Sequence, residues 1–179
     1  MSDHADIITI RDSRPDDAAD IARIYAHHVQ HSTASFEEVP PSEADIIERR
    51  ACVLEFGAPY IVAELYGEVH GFAYASKFRP RSAYRHTVED SIYVDPATTG
   101  KGIGTKLLSA LIKRCTALGY RQMVAVIGGT DNVASIKVHS RLGFTQAGVM
   151  KSAGYKFGAW VDTVLLQRPL GDGDDTLPE

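Results

Sequence analysis

DPATTGKGIGTKLL, residues 95–108, sets Gly100, Gly102 and Gly104 at alternate positions directly ahead of an apolar helical pattern. Glycine admits positive φ and lets a ligand come where a Cβ would clash. Successive N–H groups in such a turn form an anion-binding nest, and the helix that starts near Ile103 adds its positive dipole end. A phosphate or pyrophosphate is the natural guest, and a plain strand-to-helix turn is the competing reading. Two commoner nucleotide motifs fail on spacing. The phosphate-loop pattern G-x-x-x-x-G-K-[ST] has no placement here, and G-x-G-x-G is not the dinucleotide fingerprint G-x-G-x-x-G.

Outward from this turn the chain alternates between two periodicities. Ile7, Ile8 and Ile10 predict a short first strand. Pro15 and Asp16–Asp17 then open a helix with Ile21, Ile24, Tyr25 and His28 on one face. Ser42 and Asp45 form a capping-box pattern ahead of a second helix that runs to about Gly57. YIVAEL, HGFAYAS and TVEDSIYV predict three strands, the first two joined by a turn at Tyr66–Gly67. Ile103, Leu107, Leu108, Leu111, Ile112 and Cys115 mark a third helix that ends near Gly119. RQMVAVIG predicts an apolar strand buried on both faces. A last helix runs from about Asn132 to its cap at Gly143, and FTQAGVM and WVDTVLLQ close as strands. The pattern predicts one mixed α/β domain over residues 1–170, followed by a disordered acidic tail at 171–179.

A chain of 179 residues with 44% hydrophobic and 23% charged residues fits a single globular domain. A net charge of −4 argues against a nucleic-acid partner, which needs a basic face. No apolar run approaches the roughly 20 residues that span a bilayer, so no membrane partner is expected. The N-terminus lacks the order of a signal peptide, and the two cysteines, Cys52 and Cys115, form no C-x-x-C pair. A cytoplasmic location and no metal centre are expected.

Thr99–Gly104 resembles the [QR]-x-x-G-x-[GA] signature of the GNAT superfamily of N-acetyltransferases, and Asn132, Ser135, Leu142, Gly143 and Phe144 match its N-x-x-S-…-LGF helix. TASFEEVPPS, RPRSAYRHTVEDSIYV, MVAVIGGTDNVASIKVHSRLGF and AGYKFGAWVDTVLLQRPL together resemble the phosphinothricin and methionine sulfoximine acetyltransferases, over roughly residues 7 to 170. The resemblance implies a central, mostly antiparallel twisted sheet flanked by helices, acetyl-CoA as co-substrate, a small amino-acid-like acceptor, and a homodimer. It implies cofactor contacts from Ile92, Tyr93, Val94, Thr99, Gly100, Lys101, Gly102, Ile103, Gly104, Thr105, Asn132 and Ser135. A bulge near Val94 is expected to free a backbone N–H for the thioester carbonyl. Thr99 stands where Gln or Arg is usual, and Glu37 where some members carry a basic residue. An N-cap is the compatible plain reading of Asn132.

Acetyl transfer to an amine needs a base, a donor for the developing oxyanion and a proton for the thiolate. In TVEDSIYV, period two puts Thr87, Glu89, Ser91 and Tyr93 on one face and Val88, Asp90, Ile92 and Val94 on the other. Glu89 is the expected base, on the more polar face and at the family's catalytic glutamate; a strand glutamate paired with an arginine is the plain alternative, and Asp90 the rival carboxylate. His139, at S-x-x-x-H-x-x-L-G, is either an acid or relay, as its ordinary pKa of about 6.5 allows, or a satisfied core histidine. Lys77, Arg79, Arg81 and Arg85 concentrate positive charge just ahead of Glu89. Arginine forks grip carboxylates, so Arg79 and Arg81 are expected to hold the acceptor, with Phe36, Asp90, Ser91, Tyr155 and Lys156 completing its site by family match. His27, His28 and His31 offer an i, i+4 pair with no acidic partner at ligand spacing, and read as an ordinary helix. Acetylation of a protein N-terminus or lysine, and a silent acetyl-CoA sensor, are the competing functions.

Overall fold

The structure is a computed structural model that describes residues 7–178; the outermost parts of the predicted domain and tail, residues 1–6 and Glu179, lie outside the described residues. A single seven-stranded sheet has the order β1-β2-β3-β4-β5-β7-β6. Its strands are β1 (Thr9–Asp12), β2 (Tyr60–Leu65), β3 (Glu68–Lys77), β4 (Thr87–Val94), β5 (Gln122–Gly128), β6 (Thr145–Lys156) and β7 (Ala159–Pro169). The helices are α1 (Ala18–His31), α2 (Glu43–Glu55), α3 (Ile103–Ala117) and α4 (Val133–Arg141). This is the mixed α/β sheet that the order of elements predicts, and the mostly antiparallel arrangement that the resemblance implies.

Local chemistry accounts for the element ends. Ser42 Oγ accepts from Asp45 N–H (3.2 Å) while Asp45 Oδ2 accepts from Ser42 N–H (2.8 Å), the reciprocal cap that starts α2. β1 begins two residues later than the isoleucine pattern suggests, because its pairing with β2 runs from Thr9↔Glu64 to Asp12↔Ile61. On α1, Ile21, Ile24, Tyr25 and Val29 are buried, so Val29 completes the face on which His28 was expected.

The two faces of the sheet are divided cleanly. Phe72 of β3 and Tyr93 of β4 pack toward Tyr25 of α1, with Tyr25 and Tyr93 ring centroids 4.8 Å apart. Gly71 and Val94 face α3: a Cβ on Gly71 would lie 3.0 Å from both Ile103 and Leu107, so its absence lets α3 settle on the sheet. Leu107, Leu108 and Leu111 are fully buried there with Met123 and Leu166, each contributing roughly 1.5–3 kcal/mol relative to exposure.

Among the described residues only β4 and β5 pair in parallel, and their ladder is short, from Thr87↔Gln122 to Asp90↔Ala125. Beyond it the strands diverge. β5 continues along β7 to Gly128↔Thr163, and β4 continues along β3 to Val94↔Gly71. The sheet therefore splits between Ser91–Val94 and Val126–Gly128. Val126 is 37% exposed at this split, which corrects the expectation of a strand buried on both faces.

The acidic tail, expected to be disordered, has contacts with Arg121. Residues 171–178 form turns against the body, with Arg121 Nε donating to Gly173 O (2.8 Å) and Nη2 to Thr176 O (2.7 Å). Arg121 supplies the partner that the tail's own composition lacks. Among the described residues no helix is long and apolar enough to cross a membrane.

Candidate active site

The glycine turn is held in place by Asp95, at the end of β4. Its Oδ1 accepts from Ala97 N–H (3.0 Å), its Oδ2 accepts from Arg23 (2.8 Å), and its own N–H donates to His70 O (2.8 Å). Gly100 and Gly102 take φ of +83° and +80°, and a Cβ at either would meet nothing within 4 Å, so the turn is open to solvent. Gly102 is the N-cap of α3 and offers no capping side chain. The first helical bond runs from Lys106 N–H to Gly102 O (3.1 Å), which leaves the N–H groups of Ile103, Gly104 and Thr105 pointing out of the helix end. An anion fits this uncapped end. Thr99 turns away, its Oγ1 donating to Pro96 O (3.3 Å). Across the split, Asn132 caps α4 by accepting from Ser135 N–H (3.3 Å).

The end of β4 presents free backbone groups, though by a different device from the expected bulge. The β3–β4 register runs from Lys77↔Val88 to Gly71↔Val94 without a shift. Because Asp95 N–H bonds His70 O, antiparallel alternation turns the N–H and C=O of Ile92 and Val94 away from β3. They face the gap that β5 has left. The Val94 carbonyl is already engaged: His28 Nε2–H donates to it at 2.9 Å. Burial, the largest effect on His28, pushes its pKa down, so the ring is the neutral donor this bond needs. The Val94 N–H is left as the donor at the open edge.

Glu89 and Asp90 turn to opposite faces, as their alternation predicts. Glu89 is half-buried on the α1/α2 face and has no hydrogen-bond partner among the described residues. Burial pushes its pKa up, the charge of Asp90 adds to this, and Arg79 opposes it. Asp90 is buried on the other face, and its Oδ2 accepts from His139 Nε2–H at 2.9 Å. That placement removes Asp90 from the acceptor side, where it was expected, because neighbouring strand residues cannot share a face. His139 is 4% exposed and has both nitrogens engaged, Nδ1–H donating to Ser135 O at 2.7 Å. Burial works against its charged form, but the bond and charge of Asp90, with the Ser135 carbonyl, prevail and raise its pKa.

A cavity of about 380 Å³ opens on the Glu89 face, between α2 and the sheet. Its floor is Tyr60, Phe72, Tyr74 and Ser76, and Tyr25 and Arg49 line its wall. Ser76 and Tyr74 are the cross-strand partners of Glu89 and Ser91, so the floor ends on the strand pair that carries Glu89. At this end Arg79 lies along the Phe78 ring (4.4 Å), and Arg81 is exposed ahead of the 3-10 turn Ser82–Tyr84. Phe36 closes over Gly154 and Gly128: a Cβ at these glycines would lie 2.3 Å and 2.8 Å from its ring. Lys156 is 3% exposed and donates to Ser32 O (2.9 Å) and Ser35 O (2.5 Å). It pins the α1–α2 loop that carries Phe36, and both bonds run to that loop. Tyr155 alternates outward, 58% exposed beside Trp160, and does not line the cavity. The His27 and His31 ring centroids lie 5.0 Å apart with the rings tilted at 48°, and no group of three or more metal-binding side chains occurs among the described residues.

No motif in the sequence marks Arg49, Tyr25, Tyr60, Phe72 or Tyr74 as a site residue, and His28 figures there only as part of an ordinary helix. The alternation of Phe72 and Tyr74 on β3 carries a signal for an aromatic floor; nothing local brings Arg49 or His28 to it.

The family model for the acetyltransferase (GNAT) family matches residues 22–144. The chain is 54% identical over 171 residues to a phosphinothricin N-acetyltransferase of Alcaligenes faecalis, covering 96% of this chain and 87% of that one. It is 38% identical to an L-methionine sulfoximine/L-methionine sulfone acetyltransferase of Salmonella typhimurium strain LT2, covering 92% and 96%. The crystal structure of a GNAT superfamily phosphinothricin acetyltransferase from Sinorhizobium meliloti, in complex with AcCoA, superposes with a TM-score of 0.93 at 51% identity, over 96% of this chain and 93% of that one. Matched by the family model across its glycine turn, split sheet and α4 helix, the chain belongs to the GNAT acetyltransferase family.

Proposed function

We propose that the protein transfers the acetyl group of acetyl-CoA directly to the α-amine of a small amino-acid-like acceptor, with Glu89 as general base. The observation that carries this reading is Glu89 itself, a half-buried carboxylate without a hydrogen-bond partner among the described residues, between an open strand edge and a cavity. The uncapped end of α3, with Gly100 to Thr105, suits the pyrophosphate, and Asn132 and Ser135 line the far side of the split. Bound there, acetyl-CoA supplies an acetyl group activated as a thioester.

The chain's own groups divide the remaining work. The Val94 N–H, fixed at the open edge of β4, donates to the carbonyl oxygen as negative charge develops on it. Glu89 takes the ammonium proton and leaves the amine lone pair free to attack. The C–N bond forms as the thioester C–S bond breaks, CoA leaves as the thiolate, and the second proton lost by the nitrogen neutralises it. The raised pKa of Glu89 makes it a better acceptor than an ordinary carboxylate. Arg79 and Arg81, exposed at the same end, suit the acceptor's carboxylate. His139 has no nitrogen to spare and acts through Asp90, fixing β4 against α4 as a positioning residue. The exposed Tyr155, Phe157 and Trp160 on the β6–β7 hairpin, at the edge of the sheet, suit a homodimer contact. Two unpaired cysteines suit the cytoplasm.

The test is acetylation over free amino acids, methionine sulfoximine, phosphinothricin and peptides, with wild type and Glu89→Gln. Turnover of free amino-acid acceptors that Glu89→Gln abolishes is expected. Turnover of peptides only would overturn the acceptor assignment, and an undiminished Glu89→Gln enzyme would remove the base.

A further inference from the structure

The cavity beside Glu89 has a chemical character that its size alone does not convey. Its floor is aromatic, with Tyr60 and Tyr74 stacked at 5.0 Å and Phe72 and Tyr74 at 6.4 Å. Ile46, Cys52 and Val53 of α2 form the apolar side opposite. The lining charges are Arg49 and Glu48. Arg49 is already spent: its Nη1 and Nη2 donate to the two oxygens of Glu37 at 2.7 and 3.1 Å. Glu37 is itself held by the Tyr25 hydroxyl, which donates to Oε1 at 2.8 Å, so the pair is anchored to α1 as well as to α2. An anionic group entering this cavity loses its hydration without gaining a free cation, whereas an apolar or aromatic body gains stacking and burial. The volume, about 380 Å³, lies in the range of about 300–1,000 Å³ usual for small-molecule sites.

We infer that the acceptor's side chain occupies this cavity, and that the aromatic floor and the closed Arg49–Glu37 pair select a large uncharged apolar or aromatic side chain over an anionic one. This rests on the proposed amino-acid acetyltransferase reading and sharpens it. The amine lies at the Ser76 end beside Glu89, the carboxylate toward Arg79 and Arg81, and the side chain runs under α2. Glu37 thereby becomes a specificity residue.

Two measurements test it. The first compares kcat/KM for L-phenylalanine and L-methionine with L-glutamate and phosphinothricin, in wild type, Glu37→Gln and Cys52→Phe. Wild type is expected to favour the uncharged pair by about tenfold or more. Glu37→Gln frees Arg49 and shifts the ratio toward the anionic pair by about fivefold. Cys52→Phe, a change at an exposed rim position, lowers the ratio of L-phenylalanine to L-alanine by about tenfold. Ratios within each variant cancel any loss of folded enzyme. The second measurement needs no turnover. Cys52 is exposed, while Cys115 is buried with its thiol pushed up to about 12. Iodoacetamide therefore reports on the cavity mouth, and L-phenylalanine, but not L-glutamate, is expected to slow its reaction with Cys52. Equal or better use of the anionic acceptors with Glu89→Gln inactive on all of them overturns this inference alone. Failure of every free amino acid to turn over or to protect Cys52 overturns it together with the proposed function.

Discussion

Glu89 and Asp90 are neighbours on one strand, and the fold gives them opposite lives. Glu89 faces α1 and α2, half-buried, its pKa raised by burial and by the charge of Asp90 against the opposing charge of Arg79, and it is left without a hydrogen-bond partner among the described residues. Asp90 faces α3 and α4, buried, and is bonded to a histidine whose other nitrogen is bonded too. Both carboxylates are withdrawn from solvent, Glu89 in part and Asp90 almost wholly. What differs is the partner: an unpartnered acid is pushed toward the pKa range useful to a base, whereas a paired one becomes part of the frame. In the proposed reaction one side of β4 reacts, and the other holds it still.

The largest expected break comes from removing the reactive side. Glu89→Gln should lower kcat by about 10²–10⁴-fold at neutral pH. It should also stabilise the protein. The folded pKa of Glu89 lies above its unfolded value, so its ionised form is penalised in the fold, and stability is lost as pH rises from the unfolded value through the folded one. At pH 7 the amide removes that penalty, and Tm should rise by about 1–4 °C. A falling Tm would show Glu89 to be a structural residue after all.

The framing side should respond the other way. Asp90→Asn or His139→Ala should cost about 3–5 kcal/mol of stability, because each leaves a buried partner uncompensated. His139 has a raised folded pKa, so its contribution is complete below the unfolded value of about 6.5 and is lost as pH rises through the folded value. Chemical denaturation of wild type across that window should show this decline, and Asp90→Asn should flatten it. Little loss of stability but a displaced alkaline limb in kcat would instead make His139 a proton donor.

The legibility of each side follows the range of the interactions that build it. Strand alternation in TVEDSIYV separates Glu89 from Asp90, the glycine spacing places the turn, and the Ser42–Asp45 cap starts α2, all from contacts a few residues long. The split between β4 and β5 is not written in either strand. It follows from β5 leaving to pair with β7 while β4 stays with β3. The same holds for Lys156, which a family motif placed at the acceptor and whose two carbonyl partners lie on the α1–α2 loop. Phe36, carried by that loop, packs against Gly154, a contact only the fold can create. Gly154→Ala should therefore displace Phe36 and cost about 1–3 kcal/mol, read as a lowered Tm together with a raised acceptor KM. An unchanged KM would separate Phe36 from the site.

The smallest test asks whether Glu89 is tuned or paired. Arg79 is exposed, lies along the Phe78 ring, and acts on Glu89 through its charge without a hydrogen bond between them. That charge lowers the Glu89 pKa against the larger effect of burial. Arg79→Ala should then move the acid limb of kcat to higher pH, because Glu89 must be deprotonated to act and would lose its proton less readily. The displacement should shrink as ionic strength rises, since an exposed charge is screened over about 8–10 Å at physiological salt. KM for the acceptor should rise as well, through the lost grip on its carboxylate, and this effect is separable because it leaves the limb's position untouched. A limb that stays in place would show Glu89 to be set by burial and Asp90 alone. A limb that moves equally at low and high salt would mean that Arg79 pairs closely with the carboxylate, and the contrast between the two faces of β4 would narrow to a difference of partner strength.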